Sequence, residues 1–205
     1  MEREKILYEI RRCLQMEADS VRKQQEEIEE EAVLKVAETI RSCTGKIILS
    51  ACGTSAMAAK KIAHSLNCIE CPALFLTPSD AVHGGLGVVQ QEDVVILISK
   101  GGNTEELVRL LPACKTKKAV VIAVSENPDS RLAVHADIYL KIKVEREPCR
   151  FNMLATASTM AVIAVFDAVC IALMQMTGYS REQFAVIHPG GAVGERLLDR
   201  KESVH

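Results

Sequence analysis

From residue 46 onward, short uninterrupted apolar runs alternate with amphipathic stretches. The runs fall at 47–51, 73–76, 94–98, 119–124 and 138–142, and are built mainly of Val, Ile, Leu and Ala. Apolar runs without polar alternation are the pattern of strands buried on both faces. Five of them, separated by helical segments, predict a parallel sheet between two helix layers, a three-layer α/β/α sandwich. Residues 2–43 differ: they are charged and helical, and Val33, Val36, Ala37 and Ile40 repeat at i, i+3, i+4 and i+7 on one docking face. The acidic run 26–31 reads as a solvated face, on an arm long enough to reach a neighbouring subunit. The most apolar stretch, 153–176, is interrupted by Thr156, Ser158, Thr159, Asp167 and Gln175. A carboxylate near mid-bilayer costs at least ~2.5 kcal/mol, so a buried helix is expected rather than a membrane span. The organisation expected is an arm at 1–43, one domain at 44–198 and a tail at 199–205.

The 205 residues carry a net charge of −2, with 3% aromatics and no Trp, which argues against a nucleic-acid partner. The N-terminus, Met1-Glu2-Arg3-Glu4-Lys5, lacks the apolar core of a secretory signal, so a cytoplasmic protein is expected. The eight cysteines then read as small buried hydrophobes rather than disulfides. Cys68 and Cys71 have the spacing of half a zinc site, but no second pair completes it, and no metal is expected.

Two junctions carry candidate chemistry. The run 94–98 ends in Ser99-Lys100-Gly101-Gly102-Asn103-Thr104 and becomes a helix at Glu105-Glu106-Leu107; the run 47–51 passes into Cys52-Gly53-Thr54-Ser55 before another helix. A strand, a small polar loop and a helix N-terminus together point backbone N–H groups and a positive dipole end at one spot, which suits a phosphate. In a parallel sheet both loops lie on the edge holding the strand C-termini, where open α/β sheets bind ligands.

Further elements are His83-Gly84-Gly85-Leu86-Gly87, Ser130-Arg131-Leu132-Ala133, Ala157-Ser158-Thr159, Phe166-Asp167-Ala168, and Phe184 followed by His188-Pro189-Gly190-Gly191-Ala192-Val193-Gly194. With the two loops, in this order, the chain over about 30–198 resembles the sugar isomerase (SIS) domain family, and within it the D-arabinose 5-phosphate isomerases. The resemblance implies a flavodoxin-like strand order, a tetramer with shared sites, and aldose–ketose isomerisation of a sugar phosphate through an enediol, without a cofactor. It matches phosphate-gripping groups to Ser55, Ser99 and Thr104 with the amides of Gly53, Thr54, Gly101 and Gly102, and acid/base groups to Glu106, Glu147 and His188. His83 is a further pocket candidate. Moving a proton between C1 and C2 needs one positioned base, and moving one between the oxygens needs a second group. Glu147 is the expected base and Glu106 the shuttle, with His188 opening or orienting the sugar, in a neighbour's pocket if sites are shared.

The chain departs from the family pattern at several points. Members of the subgroup carry a lysine after the first-loop glycine, where this chain has Thr54; Lys100, in the second loop, could restore the charge. Gly85, Gly101 and Asn103 replace a usual aspartate, serine and glutamate, and the loop 52–55 is similar to that of the isomerase half of glucosamine 6-phosphate synthase. Many members append paired CBS modules after the leucines matching Leu197 and Leu198; regulation through such modules is not expected here. A sugar-phosphate isomerase favouring a pentose 5-phosphate is the leading expectation. A non-catalytic phosphosugar sensor, favoured by Thr54, and a structural oligomerisation module are the rivals.

Overall fold

A computed structural model describes residues 2–190. Gly191, Ala192, Val193, Gly194, Leu197, Leu198 and the tail at 199–205 lie outside the described residues. The charged N-terminal segment forms two helices, α1 (Glu2–Glu27) and α2 (Glu30–Ser42). They part at Glu29, which is extended (φ −74°, ψ 102°). A continuous helix there would stack Glu26 on Glu30 and Glu27 on Glu31, like charges at i,i+4 that disfavour it. On α2 the apolar stripe faces inward, with Val36, Ala37 and Ile40 buried.

Five strands follow, β1 (Ile47–Ala51), β2 (Ala73–Phe75), β3 (Val94–Ile98), β4 (Val120–Ser125) and β5 (Ile138–Lys141). All pair in parallel, in the order β2-β1-β3-β4-β5. Every residue of β1 and β3 is buried. Alternate side chains serve two cores: Ile47, Leu49, Val94, Ile96 and Ile98 pack under α2, while Ile48, Val95 and Leu97 pack on the opposite face. The three layers follow from this two-residue period meeting apolar stripes on both sides.

Helix α3 (Gly53–Asn67) links β1 to β2, and α4 (Pro78–Ala81) with a 3-10 turn (Gly85–Val88) links β2 to β3. Between β3 and β4 the helix divides into α5 (Glu105–Val108) and α6 (Leu111–Lys117), because Pro112 in the first turn of α6 has no N–H to continue α5. Helix α7 (Arg131–His135) joins β4 to β5. The apolar stretch forms α8 (Ala157–Thr177), ended by Gly178 at φ +65° and followed by α9 (Arg181–Val186). Helix α8 is long and apolar enough to cross a membrane, yet here it packs on α1, α2 and α3, with Phe166 and Leu173 fully buried. Its Asp167 is ion-paired to Lys61 of α3.

Candidate functional site

Strand order changes direction between β1 and β3, since the chain steps from β1 out to β2 and then crosses to β3 on the other side. The loops after β1 and β3 therefore splay apart at a topological switch point, and the crevice between them is where such folds bind ligands. A narrow cleft with about 20 Å³ of free space occupies it. Ser55 from the first loop and Ser99 from the second both line this cleft, with Lys100, Ser125 after β4, and Ser158 and Thr159 from the first turn of α8.

The second loop is fixed by its own bonds. Ser99 Oγ lies 2.8 Å from Thr104 Oγ1 and accepts the Gly102 N–H at 3.1 Å. The start of α7 clamps it from outside: Leu132 N–H donates to the Gly102 carbonyl (3.0 Å), Arg131 N–H to Asn103 Oδ1 (2.9 Å), and the Arg131 guanidinium meets Glu105 (2.6 Å). Gly102 sits at φ +70°, in the left-handed region that L side chains rarely adopt. In the first loop Gly53, at φ +57°, turns the chain from β1 into α3 and leaves Gly53 and Thr54 exposed at the helix N-terminus.

Lys100 reaches from the cleft to Glu147, its Nζ 2.9 Å from Oε1. The Glu147 carboxylate is fully buried, and its Oε2 accepts N–H bonds from Thr156 (3.0 Å) and Ser158 (3.4 Å) at the start of α8. Burial alone would raise its pKa, but Lys100, Ser158 and Thr156 outweigh that and hold the carboxyl below the usual range. A weakly basic, enclosed carboxylate is poorly suited to take a carbon-bound proton. Glu106, by contrast, is exposed in the first turn of α5. Its charge adds to burial in pushing the Cys52 thiol up.

The other expected residues lie apart. His83 is exposed in the turn after α4, on the same sheet edge but outside the residues lining the cleft. His188 stacks on Phe184 with ring centroids 3.9 Å apart and its Nδ1 is 2.9 Å from the Phe184 carbonyl. Tyr179 and Gln183 beside it bond to the Cys68 carbonyl and to Glu70, just before β2 begins. That is the strand N-terminal edge, separated from the cleft by the length of α8, roughly 30 Å for its 21 residues. Within one chain, His188 does not meet Glu106 or Lys100.

All eight cysteines are free thiols, and burial pushes Cys114 up to about 11 and Cys170 up to about 12. Among the described residues no group of three or more His, Cys, Asp or Glu side chains is arranged to hold a metal ion. Sequence reasoning missed Ser125 as a cleft residue and the amides of Thr156 and Ser158 as ligands of Glu147. Ser125 ends an apolar run as Ser50 and Ser99 do, a signal that could have found it; nothing local marks the amides.

The pattern that defines the SIS domain matches residues 40–172. The chain is 36% identical over 190 residues to arabinose 5-phosphate isomerase KdsD of Yersinia pestis, covering 93% of this chain and 58% of that protein. It thus spans little more than half the length of that relative. Its fold superposes with a TM-score of 0.91 on a Listeria monocytogenes protein classed as a sugar-phosphate isomerase, at 59% identity over 93% of this chain and all of the other. The E. coli CFT073 protein c3406, solved in complex with arabinose 5-phosphate, superposes with a TM-score of 0.88 at 29% identity, over 92% of this chain and all of c3406. This chain, a parallel sheet with a two-loop cleft at its switch point, belongs to the SIS domain family.

Proposed function

We propose that the protein is an aldose–ketose sugar-phosphate isomerase that interconverts arabinose 5-phosphate and ribulose 5-phosphate through an enediol, without a cofactor. The observation that carries this reading is the convergence of Ser55 and Ser99 on one cleft that also holds a lysine–carboxylate pair. Likeness over nearly the whole chain to c3406, solved with arabinose 5-phosphate, supports the choice of sugar. The substrate phosphate sits between the two loops, against Ser55, Ser99, Thr104 and the neighbouring amides, where helix dipoles and N–H groups favour a dianion. Glu106, exposed in the first turn of α5 just after the second loop, moves the proton between C2 and C1, and Glu147 orients the groups opposite it. The functional unit is residues 44–198, with 1–43 as an arm.

His188 serves the cleft of a second subunit. Its place at the far edge of its own chain supports this, as does the exposure of Tyr8, Ile10 and Leu14 on α1 and of Phe151, Met153 and Leu154 in the loop after Glu147. Arg12 ties those two surfaces together by donating to the Pro148 carbonyl at 2.7 Å. Burying them calls for another copy, in a cytoplasmic homotetramer.

NMR of the protein with arabinose 5-phosphate in deuterated water tests the reading. Ribulose 5-phosphate carrying deuterium at C1 is expected, because an enediol exchanges its proton with solvent. No turnover, with a melting temperature raised by the sugar phosphate, would replace the isomerase by a sensor.

A further inference from the structure

Only one member of the ion pair at the back of the cleft faces it. Lys100 lines the cleft, with its side chain 37% exposed, whereas Glu147 behind it is fully enclosed. Glu147 cannot follow a moving lysine, since Thr156 and Ser158 N–H groups hold its second oxygen and its own N–H donates to Asn152 Oδ1 at 2.6 Å. A phosphate ligand needs no such backing. One of the three ammonium N–H bonds is committed to Glu147, which fixes the direction of the others.

We propose that Lys100 is the electrophile of the isomerisation, its ammonium bound to O1 and O2 of the open-chain sugar, with Glu147 as the positioning residue that aims it. The inference rests on the isomerase reading above. As Glu106 takes the proton from C2, the C–H electron pair forms the C1=C2 bond and the carbonyl π pair moves to O1. Lys100 gives a proton to O1 and takes back the one on O2, so it ends as it began. The enediol collapses to the C2 carbonyl as Glu106 returns its proton to C1. Atoms and charge balance with no co-reactant. Positive charge at developing oxyanions is the largest common source of rate enhancement in such steps.

The test compares wild-type protein with Lys100→Met, Lys100→Arg and Glu147→Gln. Turnover of arabinose 5-phosphate is followed by NMR, and binding of inorganic phosphate and of arabinitol 5-phosphate, which lacks the carbonyl, by calorimetry. Lys100→Met is expected to lose ~100-fold or more in kcat, as when an oxyanion donor is removed, while binding both probes within about twofold of wild type. Ethylammonium in the buffer should restore part of that loss, and Lys100→Arg should keep more activity than Lys100→Met. Glu147→Gln should lower kcat while leaving KM and arabinitol 5-phosphate binding within about twofold of wild type, a split that a merely structural role would not produce. Near-wild-type kcat in Lys100→Met would overturn the proposal, as would phosphate affinity falling in step with activity, which would make Lys100 a phosphate ligand. If Lys100→Met does not fold, Lys100→Arg and Glu147→Gln decide it: wild-type kcat in Glu147→Gln overturns it. An inert wild-type protein overturns the isomerase reading itself, and this inference with it.

Discussion

A Cβ placed on Gly102 would stand 2.1 Å from Ser130 Oγ, closer than any pair of non-bonded atoms tolerates. Ser130 is the N-cap of α7, its hydroxyl accepting the Ala133 N–H at 3.3 Å, so it cannot turn aside without uncapping that helix. The second loop therefore keeps its path against α7 only because residue 102 has no side chain. Gly102→Ala is expected to lower stability by about 1–3 kcal/mol through the forced φ alone. It should also weaken inorganic phosphate binding; chemical denaturation and calorimetry read the two effects, and an unchanged loop would leave both untouched.

Asp93 anchors the entry to β3. It is 1% exposed and takes bonds from Lys46 Nζ (2.8 Å), Lys46 N–H (2.9 Å) and Gln90 N–H (2.7 Å). Burial opposes its charge, but these partners prevail and its carboxyl lies below the ordinary value. A depressed folded-state pKa stabilises above the unfolded value, near ~3.9 for Asp, and the contribution fades as pH falls through the folded one. Asp93→Asn should thus cost about 2 kcal/mol at pH 7 and progressively less below the unfolded pKa, in denaturation curves recorded across pH.

The proposed sharing of His188 has a consequence for mixtures. His188→Ala and Glu106→Gln proteins, each inactive, should regain up to about a quarter of wild-type activity when unfolded together and reassembled, since a hybrid contact carries one intact site. Activity absent from every mixture would return His188 to its own chain.

Phe166 is fully buried on α8 within the core beneath α2 and α3. Phe166→Ala should destabilise by about 3–5 kcal/mol, measured by urea unfolding, because a rigid helix wedged against a sheet cannot close the void.

The strands were legible because burial on both faces leaves unbroken runs; their bounds shifted by one residue each, at Leu76, Ala119, Ser125 and Ile142. Ala119 reads as strand, yet its N–H bonds back to the Cys114 carbonyl, closing α6 through Lys118 at φ +60°. The division of the N-terminal helix at Glu29 comes from like charges, which a hydrophobic pattern does not register. In the site, both anion loops could be read locally from strand, glycine and helix start. The Lys100–Glu147 pair could not, because 47 residues separate partners that only the β3-to-β5 side of the sheet brings together. The resemblance named Glu147, and the departure from it Lys100, without hinting that they touch.

The Ser99–Thr104 loop is held by hydrogen bonds within the protein itself, so association freezes few additional torsions there. The entropy of ordering has already been met during folding. Sugar phosphates of different chain length should then differ in affinity through what lies beyond the phosphate, and discrimination falls to the deeper wall of the cleft formed by β4 and α8.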